Sequence, residues 1–268
     1  MTTLRIMMND TQLPSGRTGL MLNKVPEVTV CFWLIKVLST TVGETAADFL
    51  STNLNLGEGK TALLMSGLLI VALFFQFRAP RYVAGIYWIT VVLISVVGTL
   101  ITDNLSDNYN VPLEATTVTF GVALTLAFTA WYASERTLSI HTIFTRHREA
   151  FYWLAVLFTF AVGTAAGDLI SEKLSLGYWV GLGLFAGAIA LVCAARFGLK
   201  ANAVASFWAA YVLTRPLGAS LGDLMSQPKD AGGLGIGTTV TSGVFLVAIL
   251  ALVGYLTVSK PDVAAEPA

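Results

Sequence analysis

Long apolar runs alternate with short polar segments along the whole chain. Eight runs are long enough to cross a bilayer as helices, because about 20 residues at a rise of about 1.5 Å span its hydrocarbon core. They lie near residues 30–51, 61–77, 85–106, 114–132, 150–171, 179–195, 204–226 and 236–256. The runs lack the alternation that strands of a membrane β-barrel require. The pattern predicts an all-α membrane protein with eight transmembrane helices.

A four-residue motif recurs in every second run and reads W-x9-G-x4-D-x2-S. Its four copies are Trp33, Gly43, Asp48 and Ser51; Trp88, Gly98, Asp103 and Ser106; Trp153, Gly163, Asp168 and Ser171; and Trp208, Gly218, Asp223 and Ser226. Such regular recurrence indicates tandem repeats of a two-helix unit. The repeats cover about 30–78, 85–132, 150–196 and 204–256.

The four repeats form two pairs. Their tryptophans are 55, 65 and 55 residues apart, so ten extra residues separate the halves of the chain. The excess falls near 133–150, a polar stretch that contains His141 and His147. We expect this stretch to be the longest loop.

Basic residues predict the orientation. With the N-terminus in the cytoplasm, that side would hold Arg5, Arg17, Lys24, Arg78, Arg81, Arg136, Arg146, Arg148, Arg196, Lys200 and Lys260, against Lys60, Lys173 and Lys229 opposite. By the positive-inside rule, both termini are expected in the cytoplasm of a bacterial inner-membrane protein. We expect an N-terminal tail (1–29) without a cleaved leader, one transmembrane domain (30–256) and a C-terminal tail (257–268). The repeats then share one direction, which predicts pseudo-symmetry about the membrane normal.

The composition excludes several classes of protein. Hydrophobic residues make up 55% of the 268 and charged residues 12%, against about 25% charged in an average soluble domain. The net charge is zero, so no basic field favours nucleic acid. The two cysteines, Cys31 and Cys193, lack metal or redox spacing, and we expect small buried side chains rather than a disulfide.

Ionisable residues inside the predicted spans are the candidate functional groups, because such groups usually face a bundle interior or a water-filled cavity. They are Lys36, Glu44, Asp48, Asp103, Asp168, Arg215 and Asp223. At 100° per residue they share one face of each odd-numbered helix with the motif serines and with Thr40, Ser95, Thr99 and Thr164. We expect the odd-numbered helices to line a central polar pathway and the even-numbered helices to pack outside them, against lipid.

Structural explanations for the same residues stay open. The glycines can serve close helix packing, and the tryptophans can anchor the helices at a membrane interface. The aspartates can be hydrated near the interface, or can cap a following turn together with the serines. Pro216, beside Arg215, removes a backbone hydrogen bond, so helix seven is expected to be kinked or movable.

The four motif copies resemble a bacterial inner-membrane family that is defined by this tandem repeat and has no settled function. The resemblance covers residues 30–256 and includes the recurring tryptophans Trp33, Trp88, Trp153 and Trp208. It implies eight spans and supplies no substrate. The chain departs from the common pattern at Lys36 and Glu44 in the first repeat and at the Arg215–Pro216 pair in the fourth.

The sequence favours transport of a small cation, because five acids and two bases leave the polar stripe negative. Carboxylates and hydroxyls suit hard metal ions or protons, and Glu44 and Asp48 lie one helical turn apart, where they can share an ion. No cofactor is expected beyond a metal ion as cargo. A carrier of a small organic substrate and a scaffold or sensor are the alternatives. An enzyme is not expected, and a homo-oligomer stays open.

Overall fold

The computed structural model describes residues 23–174 and 176–262, except the side chain of Glu172. Over these ranges the protein forms eight long α-helices: α1 (Val30–Asp48), α2 (Glu58–Arg78), α3 (Ala84–Asp103), α4 (Leu113–Glu135), α5 (Arg146–Asp168), α6 (Gly177–Phe197), α7 (Ala203–Ser226) and α8 (Thr238–Ser259). The eight predicted helices are confirmed, with ends within about four residues of those expected. Arg5 and Arg17 lie outside the described residues.

Seven of the eight described helices are long and apolar enough to cross a membrane, which is consistent with a membrane protein. The exception is α7. Helix α7 is less apolar because it contains Thr214, Arg215, Ser220 and Asp223. These four side chains are all buried inside the protein. Helix α7 runs without interruption from Ala203 to Ser226 and contains Pro216 within it.

The odd-numbered helices form a closed ring. Helix α1 packs against α3 and α7, and α5 packs against the same two helices. Each even-numbered helix packs outside on the odd-numbered helix of the next repeat: α2 on α3, α4 on α5, α6 on α7 and α8 on α1. Between 56% and 67% of the most apolar stretch is buried in α1, α3 and α5, against 11% to 28% in the even-numbered helices. The odd-numbered helices therefore form the core.

The motif glycines bring the ring helices into close contact. Each glycine faces the residue seven positions after the tryptophan of the next repeat: Gly43 faces Ser95, Gly98 faces Phe160, Gly163 faces Arg215 and Gly218 faces Thr40. A Cβ atom at Gly43 or Gly218 would lie only 1.8 Å from the facing hydroxyl oxygen. The structure supports the packing explanation for these glycines, and the contact of Gly218 with Thr40 closes the ring.

Aromatic residues form a second layer of the ring. The residue before each tryptophan is aromatic, and its side chain lies against the tryptophan of the next repeat. The ring centroids are 5.6 Å apart for Phe32–Trp88, 5.4 Å for Tyr87–Trp153, 6.1 Å for Tyr152–Trp208 and 5.7 Å for Phe207–Trp33. These distances are typical of favourable aromatic pairs.

The membrane-anchor explanation for the tryptophans is wrong for three of the four. Trp88, Trp153 and Trp208 are buried between helices, and the Trp208 Nε1 donates a hydrogen bond of 2.9 Å to the carbonyl of Leu138. Trp33 is half-buried. The expectation that both cysteines are buried is also wrong, because Cys193 is exposed on α6.

The motif aspartates lie at one end of the bundle, which we call the aspartate end. The helices have widened turns there. Asp48, Asp103 and Asp168 are each followed by a five-residue π-helical turn. Turns of this type are frequent at functional sites. In the fourth repeat a glycine-rich loop replaces the turn, and the Leu234 and Ile236 amides donate to the carbonyls of Leu224 and Met225. The glycine-rich loop is thus bonded to the end of α7.

We call the opposite end of the bundle the tryptophan end. Residues 23–29 cover it. Lys24 is fully buried, and its Nζ donates a hydrogen bond of 2.6 Å to the Glu149 carboxylate. It also lies 3.2 Å from the carbonyl of Gln76, so it joins α2 to α5. Burial raises the pKa of the Tyr82 phenol, which therefore stays protonated and donates to Asp262 at 2.6 Å.

We expect Gly43→Ala to destabilise the protein because its Cβ atom would overlap Ser95. Overpacking of this kind usually costs about 1–3 kcal/mol. The midpoint of thermal unfolding in detergent measures the effect. Gly243→Ala in α8 is the matched control, since no atom lies within 4 Å of a Cβ there. Equal midpoints for the two variants would contradict the close packing.

Candidate functional site

A cavity of about 200 Å³ lies among the ring helices at the aspartate end. We call it the acidic pocket. It is lined by Glu44, Asp48, Ser51, Thr52, Glu58, Asp103, Ser106, Asp107, Leu113, Asp168, Asp223 and Gln227. The four motif aspartates all line this pocket, because repeat-equivalent positions on ring helices that run in one direction come to the same level of the bundle.

The acidic pocket is strongly negative. Seven of its lining residues are acids, and none of the lining side chains that the structure describes is basic. Asp223 is buried, and Asp48, Asp103 and Asp168 are half-buried. A recess lined by charges of one sign concentrates counter-ions. The arrangement is therefore suited to small cations and unsuited to anions.

Arg215 lies next to the pocket, because it is bonded to the lining residue Glu44. Its guanidinium is fully buried and donates to the Glu44 carboxylate at 2.7 Å and to the Thr40 carbonyl at 3.0 Å. It also donates to the hydroxyl of Thr164 at 2.6 Å and to that of Thr99. The buried guanidinium is thus held by an opposite charge and by oxygen atoms from three other helices.

The repeat numbering explains why one arginine reaches so many partners. Arg215 occupies the position seven residues after the tryptophan, which in every repeat points toward the preceding helix of the ring. Its side-chain partners Glu44, Thr99 and Thr164 all occupy the position eleven residues after the tryptophan in the first three repeats. The fourth repeat has Ala219 there. The guanidinium therefore lies where four equivalent positions converge, near the axis of the ring.

Beyond Arg215 the axis is filled by aromatic side chains and one lysine. The Lys36 Nζ lies 3.9 Å from the centre of the Phe160 ring and 4.3 Å from that of Tyr211. The hydroxyls of Tyr87 and Tyr152 are hydrogen-bonded at 2.5 Å. The acidic pocket thus occupies one end of the bundle, and these buried side chains pack against one another beyond Arg215.

Direct binding of a metal ion requires several ligand side chains close together. Among the described residues, no group of three or more histidine, cysteine, aspartate or glutamate side chains is arranged to hold a metal ion. Glu44 and Asp48 both line the pocket, but Glu44 is bonded to Arg215. A bare metal ion at this pair would need hydroxyl, carbonyl or water oxygens as further ligands.

The sequence-predicted residues divide between the pocket and its surroundings. The pocket contains Glu44, the four aspartates, Ser51 and Ser106. Thr99 and Thr164 do not line the pocket, and Arg215 joins them to its lining residue Glu44. Outside it lie Lys36, the Thr40 and Ser95 side chains at the glycine contacts, the four tryptophans, and the buried serines Ser171 and Ser226. Ser171 donates to the carbonyl of Gly167 and so bonds its own helix.

Sequence reasoning missed several lining residues. Glu58 begins α2 and Asp107 lies in the π-helical turn after α3, so neither belongs to the motif. Asn108, in the same turn, donates to the Glu58 carboxylate at 2.8 Å. The proximity of Asp107 to the motif serine Ser106 was the available signal, whereas nothing in the spacing indicated Glu58.

Comparison with known proteins places the repeats in a described family. The family model for a repeat of unknown function, DUF347, matches four segments of the chain: 31–82, 86–137, 151–201 and 206–262. No curated protein and no solved structure matches the chain. The predicted resemblance to a family defined by this tandem repeat is thereby confirmed, including the number of repeats and their tandem order.

We expect Glu44→Gln to lower stability by about 3–5 kcal/mol, because it leaves the buried Arg215 charge uncompensated. Arg215→Gln should also destabilise the protein, and the double variant should lose less than the two single losses together, by about 0.5–3 kcal/mol. Unfolding by denaturant in detergent gives these values. Purely additive losses would mean that the two side chains do not interact.

The matched control for this cycle is Glu135→Gln. The Glu135 carboxylate accepts from Arg148 at 2.6 Å, but both side chains are partly exposed to solvent. Partly exposed ion pairs contribute about 0–1 kcal/mol. A small loss at Glu135 beside a large loss at Glu44 would assign the effect to burial of the Arg215 charge.

Proposed function

The chain belongs to the family built from the repeat of unknown function DUF347, and for this member we propose transport of a small cation across a membrane. The observation that supports this function best is the acidic pocket, where one acid from every repeat converges at the same end of the ring. Four copies of an acid in register are not needed for helix packing, which the glycines and aromatic residues already supply.

We assign all eight helices to the membrane. Helix α7 can cross although it is less apolar, because its buried polar residues face the other ring helices and not lipid. The proposed location is a bacterial inner membrane with both termini in the cytoplasm, which the basic residues favour. In this orientation the aspartate end, with its acidic pocket, faces the periplasm.

The proposed cargo is a hard cation or a proton. Carboxylate and hydroxyl oxygens line the pocket, and these are ligands that Mg²⁺, Mn²⁺ and Na⁺ accept. A volume of about 200 Å³ leaves room for an ion that keeps part of its water shell. A hydrated ion also fits the lack of a preformed group of three ligand side chains among the described residues, because water can bridge the ion to each acid.

The side chains packed around the axis beyond the pocket favour a carrier over an open pore. Arg215, Lys36 and the aromatic residues fill the axis, so an ion would have to displace or move side chains to continue. Proton-coupled metal export is the form of transport we propose, with the pocket acids exchanging an ion for protons.

A small organic cation is the second candidate. The observation that favours it is the combination of a negative pocket with no preformed metal site among the described side chains. Neither candidate requires catalysis or a cofactor, and neither involves nucleic acid. Both keep the acidic pocket as the binding site.

Reporter fusions test the orientation. We expect reporters inserted beside His141 and fused to the C-terminus to report the cytoplasm, because the basic residues concentrate at that end of the spans. A reporter inserted at Asp230, between α7 and α8, should report the opposite side. A periplasmic signal from the first two fusions would reverse the proposed orientation.

A flux assay in proteoliposomes tests the function. We expect Glu44→Gln and Asp48→Asn each to abolish uptake of the transported ion, while the corresponding changes at Asp103, Asp168 and Asp223 are partly tolerated. The reason is that α1 is the one ring helix that supplies two acids to the pocket, Glu44 and Asp48, whereas α3, α5 and α7 supply one each. Mg²⁺, Mn²⁺, Na⁺ and protons are tested separately, with a small organic cation as a further substrate.

The control for this assay is Glu114→Gln. Glu114 lies at the start of α4, pairs with Lys173 and does not line the pocket. Because Glu44 also holds Arg215, its variant is compared at equal amounts of folded protein. Equal losses at all four aspartates would reject a dominant first repeat, and normal flux in both first-repeat variants would reject cation transport through the pocket.

A further inference from the structure

A second and larger cavity lies on the side of the bundle near the tryptophan end. It has a volume of about 470 Å³, and we call it the lateral cleft. Helix α7 forms its floor, and α1 and α6 form its walls, with Trp33 on one side and Cys193 on the other. Leu138, Ile140 and His141 close one end. These three residues come from the ten-residue excess between the two halves of the chain.

The cleft exists because the repeats differ at two positions. In the second repeat, Phe128 and Trp131 of α4 pack against Trp208, with ring centroids 4.9 Å and 5.9 Å away. The equivalent residues of the third repeat are Cys193 and Arg196 on α6, and the tryptophan opposite them is Trp33. Two large rings are thus replaced by a thiol and an arginine, and the space that they fill in α4 is open in α6.

The first repeat fills the equivalent space differently. Its residue at the position of Arg196 is Gln76, which donates to Glu149 at 3.1 Å. Glu149 in turn accepts from Lys24 at 2.6 Å. The N-terminal segment therefore covers that side of the bundle. The lateral cleft has neither filling, which is why Trp33 is half-buried while Trp153 and Trp208 are buried.

The shape and lining of the cleft fit an extended apolar chain. It runs along α7 from Ala203 to Leu217, a distance of roughly 21 Å at the helical rise. One leaflet of a bilayer core is about 15 Å thick. Between these ends the walls are mainly aliphatic and aromatic, including Ile189, Val192 and Phe207. A compact polar molecule would leave most of this length unused.

The charge at the end of the cleft indicates the head group. Arg196 lies in the last turn of α6 and lines the cleft, close to the level of the first turn of α7. His141 lines the same end, and its ring lies 3.5 Å from the Glu27 carboxylate. The Arg196 guanidinium can therefore pair with a carboxylate or phosphate group whose chain lies along α7.

We propose that the lateral cleft binds an acyl chain with an anionic head group, with the head on Arg196 and the chain between α1 and α6. The proposal depends on the proposed membrane placement and not on cation transport. The chemistry is shared by an anionic phospholipid and a free fatty acid. The site is formed by residues that are specific to the third repeat and to the loop between the two halves of the chain.

The test uses the full chain with Cys31→Ala, which leaves Cys193 as the only thiol. The rate at which a neutral maleimide alkylates Cys193 is measured in vesicles of zwitterionic phospholipid. Adding an anionic phospholipid or a fatty acid should slow alkylation about fivefold, as expected for one arginine–anion pair. Slowing by only one of the two additives identifies the source and supports the site.

The controls separate a site from ordinary lipid contact. Arg196→Gln should remove the slowing, and a cationic amphiphile with the same chain should not produce it. If the cationic amphiphile slows alkylation equally, or if Arg196→Gln changes nothing, the proposal is wrong. Flux through the acidic pocket is independent of these rates, so the proposed function and this site can fail separately.

A second measurement does not depend on Cys193 reactivity. Fatty acid with a brominated chain should quench part of the tryptophan fluorescence, and Trp33→Phe should remove that part. Cys193→Phe introduces the side chain that Phe128 provides in the second repeat, and it should also abolish that quenching by filling the cleft. Unchanged quenching in both variants would overturn the proposed position of the chain.

Discussion

The buried charge of Arg215 is the constraint on which the ring of helices depends. An arginine without solvent must be fully bonded, because an unpaired buried charge costs several kcal/mol. Here its partners come from α1, α3 and α5, so the guanidinium is satisfied only when all four ring helices are in place. The glycine contacts then set how close the helices lie, and the aromatic pairs fill the space nearer the tryptophan end.

The repeats supply the framework, and their differences supply the candidate sites. Positions that are alike in all four repeats, such as the motif glycines, form contacts that close around the ring. Positions that differ interrupt this regularity. Arg215 replaces the small or apolar residue of other repeats at the axis, and Cys193 with Arg196 replaces two aromatic rings at the side. A tandem repeat can thus keep its packing while one copy acquires polar chemistry.

The sequence predicted the helices and the convergence of the aspartates because both follow from periodicity. A fixed spacing from Trp33 to Asp48 in every repeat determines both the face and the level of each acid. Burial of the tryptophans was not predicted, since amphipathic rings near the ends of spans are equally typical of a membrane interface. The π-helical turns, Glu58 in the pocket and the pairing of Lys24 with Glu149 depend on contacts between distant segments, which one sequence does not reveal.

Glu44 links the framework to the pocket, because the same carboxylate lines the cavity and holds Arg215. A cation that binds at Glu44 therefore competes with a guanidinium that is tethered beside it. Weakening the pair also weakens the hold of Arg215 on Thr99 and Thr164, since one planar group makes all three contacts. A cation in the pocket would therefore also affect the packing of α1, α3, α5 and α7. A carrier requires such coupling, because binding at one end must change the packed side chains along its axis.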